Sequence, residues 1–250
     1  MVPVGLFDHL ELESIPSGII LSCQGESVPV GEENLVSRAA RAFFSQTGIR
    51  QGISIKLIKN IPVAAGLGGG SSDAAQTLRA LNEMWSEPLT SQELKDLCVD
   101  LGADVPFFLQ RRPCIARGIG EILEPIEGWP KLWYVIVSPP IEVSTAWVYR
   151  NLKIELTADE YGYIIKTLQD KYFEITQILE NDLETVTASH YPAIYEIKEH
   201  LLDAGAGGAL MSGSGPSVFG IFTSKDRALL AKNSIISRNL GTVFAVDGIT

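Results

Sequence analysis

Apolar residues along this chain recur at two spacings, near two residues and near three and a half, and glycine or proline marks most changes from one to the other. Leu6 to Glu13 ends in strand-like alternation without a polar lead-in, which reads as the interior of a domain. Gly31 to Gly48 carries Leu35, Ala39, Ala42 and Phe43 on one helical face, with Gly48 as its stop. Ile53, Ile55 and Leu57 alternate with Ser54 and Lys56 in a half-buried strand. Ala74, Leu78, Leu81 and Trp85 form an apolar stripe on the next helix. Thr90 and Glu93 form a capping box opening another, with Leu94, Leu97 and Leu101 inward and Gly102 at its end. Gly118 and Gly120 mark a turn.

The pattern restarts near Gly128. Leu132 to Val137 predicts a buried strand closed by Pro139 and Pro140. Three helical stretches follow: Thr157 to Leu168, opened by a Thr157/Glu160 capping box, then Ile175 to Ala188 and Tyr195 to Ala204. A glycine-rich loop, Gly205 to Gly215, leads to a strand over Ser217 to Phe222. A helix over Ser224 to Asn239 and a short strand over Val243 to Val246 end the chain. Strands and helices do not alternate strictly, so the pattern predicts an α+β fold in two lobes divided near residues 125–130. No internal repeat or low-complexity segment is visible.

Composition narrows the functions available. The chain has 250 residues, 46% of them hydrophobic, enough for one large core or two modest ones. Its net charge of −10 argues against sequence-independent nucleic-acid binding, which depends on Lys and Arg neutralising phosphates. It leaves room for a small anion held locally by backbone N–H groups. Cys23, Cys98 and Cys114 are far apart and read as reduced, mostly buried thiols, and no spacing suggests a metal site. No apolar run approaches the roughly 18 residues of a membrane span, and no secretory signal opens the chain, so the expectation is a soluble cytoplasmic protein, monomer or homodimer. His9, His190 and His200 read as surface or capping residues.

The stretch with most chemical content is Pro62-Val63-Ala64-Ala65-Gly66-Leu67-Gly68-Gly69-Gly70-Ser71-Ser72, between a strand and a helix. Glycine permits positive φ and lets backbone N–H groups approach a ligand unobstructed. The first N–H groups of a helix lack internal partners and carry the positive end of its dipole, so loop and helix start together suit polyphosphate. A packing turn needs one such glycine, and four in five positions exceed that need. The loop contains no lysine, which excludes GxxxxGK[ST], and Ser71 stands where GxGxxG needs its third glycine. Ser71 and Ser72 are N-caps, or one hydroxyl contacts a phosphate or Mg²⁺.

Pro62-x-x-x-Gly66-Leu67-Gly68-Gly69-Gly70-Ser71-Ser72 is similar to the ATP-binding motif of the GHMP superfamily of small-molecule kinases. The resemblance implies an N-terminal lobe like ribosomal protein S5 over residues 1–127 and a ferredoxin-like C-terminal lobe over residues 128–250. It also implies ATP and Mg²⁺ as cofactors. Gly102-Ala103-Asp104-Val105-Pro106-Phe107 resembles the segment carrying the catalytic aspartate in the branch acting on a cytidine diphosphate-linked methylerythritol, which maps a general-base role onto Asp104. Read without the resemblance, Asp104 is as readily an ordinary loop residue.

Ala209 to Phe222 resembles a further superfamily motif, and the resemblance implies that Gly213, Ser214 and Gly215 help close the site around the substrate. Trp147 or Tyr149 occupies the region where the family stacks an aromatic on cytosine, and either reads equally well as a core aromatic. Asn181-Asp182-Leu183-Glu184 resembles a family segment and serves as a marker, not a site. The family's opening Pro-Ala-Lys-Leu-Asn strand, source of its catalytic lysine, does not occur in these 250 residues. The expectation is therefore little kinase activity for the polypeptide as written. A nucleotide-binding pseudokinase and a kinase of homoserine or mevalonate are the competing readings.

Overall fold

The computed structural model describes residues 1–26, 28–153 and 179–250. The expected helix over Thr157 to Leu168, and the start of the one from Ile175, lie outside the described residues. The chain divides into two compact units, one of residues 1–63, 68–129 and 249–250, the other of residues 64–67 and 130–248.

The first unit is built on a three-stranded sheet. Strands β1 (His9–Ile15), β2 (Ile19–Gly25) and β3 (Gly52–Lys59) lie in the order β1-β3-β2, with β3 antiparallel to β1 and parallel to β2. Ile53, Ile55 and Leu57 point from β3 into the core, as their alternation predicts. Helices α1 (Leu35–Thr47), α2 (Gly69–Met84) and α3 (Ser91–Leu101) share that core through Phe43, Leu78, Leu81 and Leu101. Fully burying each of these large side chains contributes about 1.5–3 kcal/mol. Asn34 caps α1 by accepting from Val36 N, and Gly48, at φ 69°, ends it. The capping box on α3 forms, with Thr90 accepting from Glu93 N and Glu93 reaching back to Thr90 N. A single helical turn, α4 (Phe107–Gln110), and the hairpin β4 (Cys114–Arg117) and β5 (Ile122–Pro125) complete the unit.

The second unit carries an antiparallel sheet of β6 (Trp133–Ser138), β7 (Ala209–Met211), β8 (Val218–Phe222) and β9 (Thr242–Asp247), in the order β7-β8-β6-β9. The described helices are α5 (Thr145–Asn151), α6 (Asp182–His190), α7 (Ala193–Asp203) and α8 (Lys225–Ile236). The first strand lies between the third and the fourth, which gives the expected ferredoxin-like sheet. Ile194, Ile197 and Leu201 of α7, and Ala228, Ala231 and Ile235 of α8, meet Val135, Val137 and Phe222 in its core.

Two sequence expectations change here. Residues 179–181 are not helical, and Asn181 starts α6 by accepting from Leu183 N, so no helix runs through it. The second glycine-rich loop is interrupted by β7, so the turn at Gly213–Gly215 is entered from a strand rather than a helix.

Candidate active site

The first glycine loop leaves β3 and enters α2, but the helix begins earlier than expected. Gly68, at φ 68°, is the N-cap, and Ser72 N donates to Gly68 O at 2.9 Å. Ser71 and Ser72 therefore belong to the helix and are not its caps. The N–H groups of Gly69, Gly70 and Ser71 have no protein acceptor among the described residues. Three adjacent donors at the positive end of a 16-residue helix are an arrangement suited to receive an anion.

Packing alone accounts for three of the four glycines. A Cβ on Gly66 would stand 2.1 Å from Ser212 O, and one on Gly68 2.8 Å from Cζ of Phe108. One on Gly69 would meet Ile61 Cγ2 and Lys59 Nζ, each at 3.0 Å. Only at Gly70 is the nearest atom, Leu35 Cδ1, at an ordinary 3.5 Å. The excess of glycine thus reflects close approach of neighbouring protein as much as of a ligand.

Beside the helix start lies a buried ionic cluster. Lys59 is 5% exposed, and its Nζ donates to Asp73 Oδ2 at 2.9 Å and to Asp8 Oδ2. Asp8 Oδ1 in turn accepts from Asn60 N at 2.6 Å and Ile61 N at 2.9 Å. Lost hydration raises the Asp73 carboxyl to about 7, the Lys59 charge opposing and Asp8 adding.

Asp104 follows α3 in a turn where Val105 N donates to Gly102 O at 3.1 Å. Val105 and Phe107 are buried and anchor the segment, while Asp104 itself is exposed. Its carboxyl makes no hydrogen bond or ion pair among the described residues. Surrounding protein still strips enough water to raise its pKa. Phe108, four residues on, packs its ring against Gly68, and its carbonyl accepts from Gln76 Nε2 at 3.2 Å. The Asp104 segment is thereby joined to the start of α2.

In the second unit, one face of α6 holds the second glycine loop. Asn181 Nδ2 donates to Met211 O and Gly213 O, both at 2.9 Å. Glu184 Oε2 accepts from Met211 N at 2.8 Å, and its other oxygen pairs with Lys198. Thr187 Oγ1 donates to Ser214 O at 3.1 Å. Residues 181, 184 and 187 share one face of the helix because they are spaced by three. Ser214 is buried, with its hydroxyl 2.8 Å from Thr145 Oγ1, and Gly215 is buried too, so Gly213 is the exposed member of the trio. Ser212 Oγ donates to Gly66 O at 2.8 Å, and Ser217 N to Ala65 O at 3.2 Å, which ties residues 64–67 to this loop.

Trp147 and Tyr149 differ. Tyr149 is 61% exposed. Trp147 lies 5.0 Å from the His190 ring, and the two line a cavity of about 380 Å³ with Asn151, Lys153, Thr185 and Ser189. His190, expected to be a surface or capping residue, is exposed in the last turn of α6 and is also an aromatic neighbour of Trp147.

Residues 34–112 match the family model for the GHMP kinase N-terminal domain, and residues 168–240 that for the GHMP kinase C-terminal domain. A 4-diphosphocytidyl-2-C-methyl-D-erythritol kinase of Syntrophotalea carbinolica is 47% identical over the whole of this chain and 89% of its own length. One of Geobacter metallireducens is 48% identical over the whole chain and 88% of its own length. The chain belongs to the GHMP kinases. The crystal structure of a 4-(cytidine 5'-diphospho)-2C-methyl-D-erythritol kinase superposes with a TM-score of 0.82 at 36% identity, covering 100% of this chain and 88% of that one. A homoserine kinase of Cytophaga hutchinsonii shares the fold, with a TM-score of 0.79 at 22% identity over 98% of this chain and 87% of its own.

For a GHMP kinase, sequence reasoning missed the residues that hold the glycine loops. Lys59 was detectable: it continues the inward series Ile53, Ile55, Leu57 and puts an ammonium on a core face. Asp73 falls beside Ala74 and one turn before Thr77 on the buried side of α2. Asn181 and Glu184 were seen as a motif, but nothing in sequence joined them to a loop some 30 residues later.

Proposed function

We propose that this chain transfers the γ-phosphoryl group of ATP to the 2-hydroxyl of 4-diphosphocytidyl-2-C-methyl-D-erythritol, a step of the non-mevalonate route to isoprenoid precursors. ATP is the donor that GHMP kinases use. The observation that carries the reading is the pairing of three N–H groups at Gly69–Ser71 with the Asp104 carboxyl, all without a bonding partner among the described residues, on a segment packed against the same helix start. The N–H groups bind the phosphate oxygens, and the hydroxyls of Ser71 and Ser72, partly exposed, stand in the first turns beside them.

Asp104 accepts the proton of the substrate hydroxyl as the new O–P bond forms and the bond to the β-phosphate oxygen breaks, releasing ADP. Its raised pKa makes it a stronger base than a free aspartate. Mg²⁺, when bound, neutralises charge on the transferring group. No group of three or more His, Cys, Asp or Glu that could hold a metal occurs among the described residues. Tyr149 offers the exposed aromatic face for the cytosine, a contact worth about 1–3 kcal/mol. Support for this substrate comes from the names of the relatives at 47–48% identity and from the Gly102–Phe107 segment.

Phosphoryl transfer to the cytidine diphosphate-linked substrate, homoserine and mevalonate tests the reading. The assay covers the 250-residue chain and a fusion carrying a relative's opening segment. Transfer is expected to the first substrate only, with little from the 250-residue chain and more from the fusion, and Asp104→Asn in the fusion should reduce it by about 10²–10⁴-fold. Preference for either small alcohol, or an Asp104→Asn variant as fast as its parent, would overturn it.

A further inference from the structure

The loop over Pro62–Ser72 is bracketed by one buried charge cluster. At its entry, Asp8 Oδ1 holds the N–H groups of Asn60 and Ile61 at 2.6 and 2.9 Å. At its exit, Asp73 stands in the second turn of α2, and Lys59 Nζ joins the two aspartates. The side chains of Asp8, Lys59 and Asp73 are only 3%, 4% and 6% exposed. The ammonium also lies close to the helix start, since a Cβ added at Gly69 would stand 3.0 Å from it. Cys23 of β2 is also in electrostatic contact with all three.

Packing of apolar side chains does not require such a cluster. Ion pairs removed from water gain little net stability, because desolvation offsets their attraction. They do fix geometry, because a charged hydrogen bond has a defined length and direction. Here the geometry fixed is the separation between the last residues before the loop and the first turns of the helix after it. The donors at Gly69, Gly70 and Ser71 lie within that interval. Lys59 directs two of its three ammonium donors at the two carboxylates, which holds it in place between them.

We infer that Asp8, Lys59 and Asp73 are positioning residues that set the Gly69–Ser71 donors to the spacing of a nucleotide polyphosphate. The inference rests on the kinase reading and adds to it the device that preorganises the donor site. Asp73 acts through Lys59 and the helix; it touches no substrate. Its isostere should therefore suffice where its side chain cannot be spared, because an asparagine oxygen still accepts from Lys59 Nζ.

Calorimetric titration with ADP and with ATP tests this on the 250-residue chain, each variant being checked for folding by its thermal transition. Asp73→Ala should weaken nucleotide binding by about tenfold or more, the scale of loss when reacting or binding groups are misplaced. Asp73→Asn should restore most of that affinity. Asp8→Asn probes the entry side and should weaken binding less than Asp73→Ala. Leu81→Ala cuts the core on the same helix away from the cluster and should lower the transition temperature while leaving affinity unchanged. Unaltered affinity in Asp73→Ala overturns the inference, as does an equal loss in Leu81→Ala, which would reduce the effect to general destabilisation. Failure of Asp73→Asn to rescue also overturns it. If the unsubstituted chain binds neither nucleotide, the kinase reading falls, and the inference falls with it.

Discussion

The two glycine loops are held by different chemistry. The loop before α2 is set by buried charge, Asp8–Lys59–Asp73, with the lysine shared between two carboxylates. The loop after β7 is set mainly by side chains of α6 that bond its backbone: Asn181 to two carbonyls, Glu184 to one N–H and Thr187 to another carbonyl. A hydrogen-bond clamp fixes a backbone shape locally, and each bond contributes about 0.5–1.5 kcal/mol. A charge cluster also sets the potential nearby. With both aspartates ionised the triad would be net negative beside the site proposed for phosphate. The upward shift of Asp73 moves it toward neutrality.

Breaking the charged side should cost most. Lys59→Met leaves two buried carboxylates without a counter-charge and should destabilise the protein by about 3–5 kcal/mol in urea unfolding. The same cluster should give the chain a pH dependence of unusual sign. The folded state holds the Asp73 proton more tightly than the unfolded state does, so this contribution is complete below the ordinary carboxylate range and is lost as pH rises through about 7. Urea midpoints should fall between pH 5 and pH 8, and Asp73→Asn should flatten that slope.

Gly66→Ala comes next. It adds a Cβ 2.1 Å from Ser212 O at a φ of 74° and should cost about 3 kcal/mol in thermal unfolding. On the hydrogen-bonded side, Glu184→Ala strands the buried Met211 N–H and should cost about 2 kcal/mol in the same measurement. The smallest effect separates packing from ligand approach. Gly70→Ala meets nothing tight and should stabilise the folded chain by about 0.5 kcal/mol while weakening nucleotide binding in a titration. Unchanged affinity there would remove Gly70 from the donor surface.

Much of the fold was legible because its signals are local. The inward series on β3, the Asn34 and Thr90 caps, and the Gly48 stop each act over a few residues. The first loop was legible for a partly mistaken reason, since its glycine excess was assigned to ligand approach when neighbouring protein demands three of the four. Of the two readings of Ser71 and Ser72, the capping one fails because Gly68 caps the helix with its backbone alone, which leaves no side-chain signature. The role of the Asn181–Glu184 motif was illegible because its partners lie in a strand and turn some 30 residues away.

By itself, then, the sequence determined which segments become strands and helices, where the phosphate-type loop lies and which aspartate follows α3, because side-chain period and backbone conformation are settled among near neighbours in the chain. Only the tertiary structure decided that a strand lysine and aspartates at positions 8 and 73 share one buried cluster, and that α6 grips the second loop. Those pairings span distances over which sequence spacing carries no information, and they form only when folding removes the groups from water and leaves them no other partner.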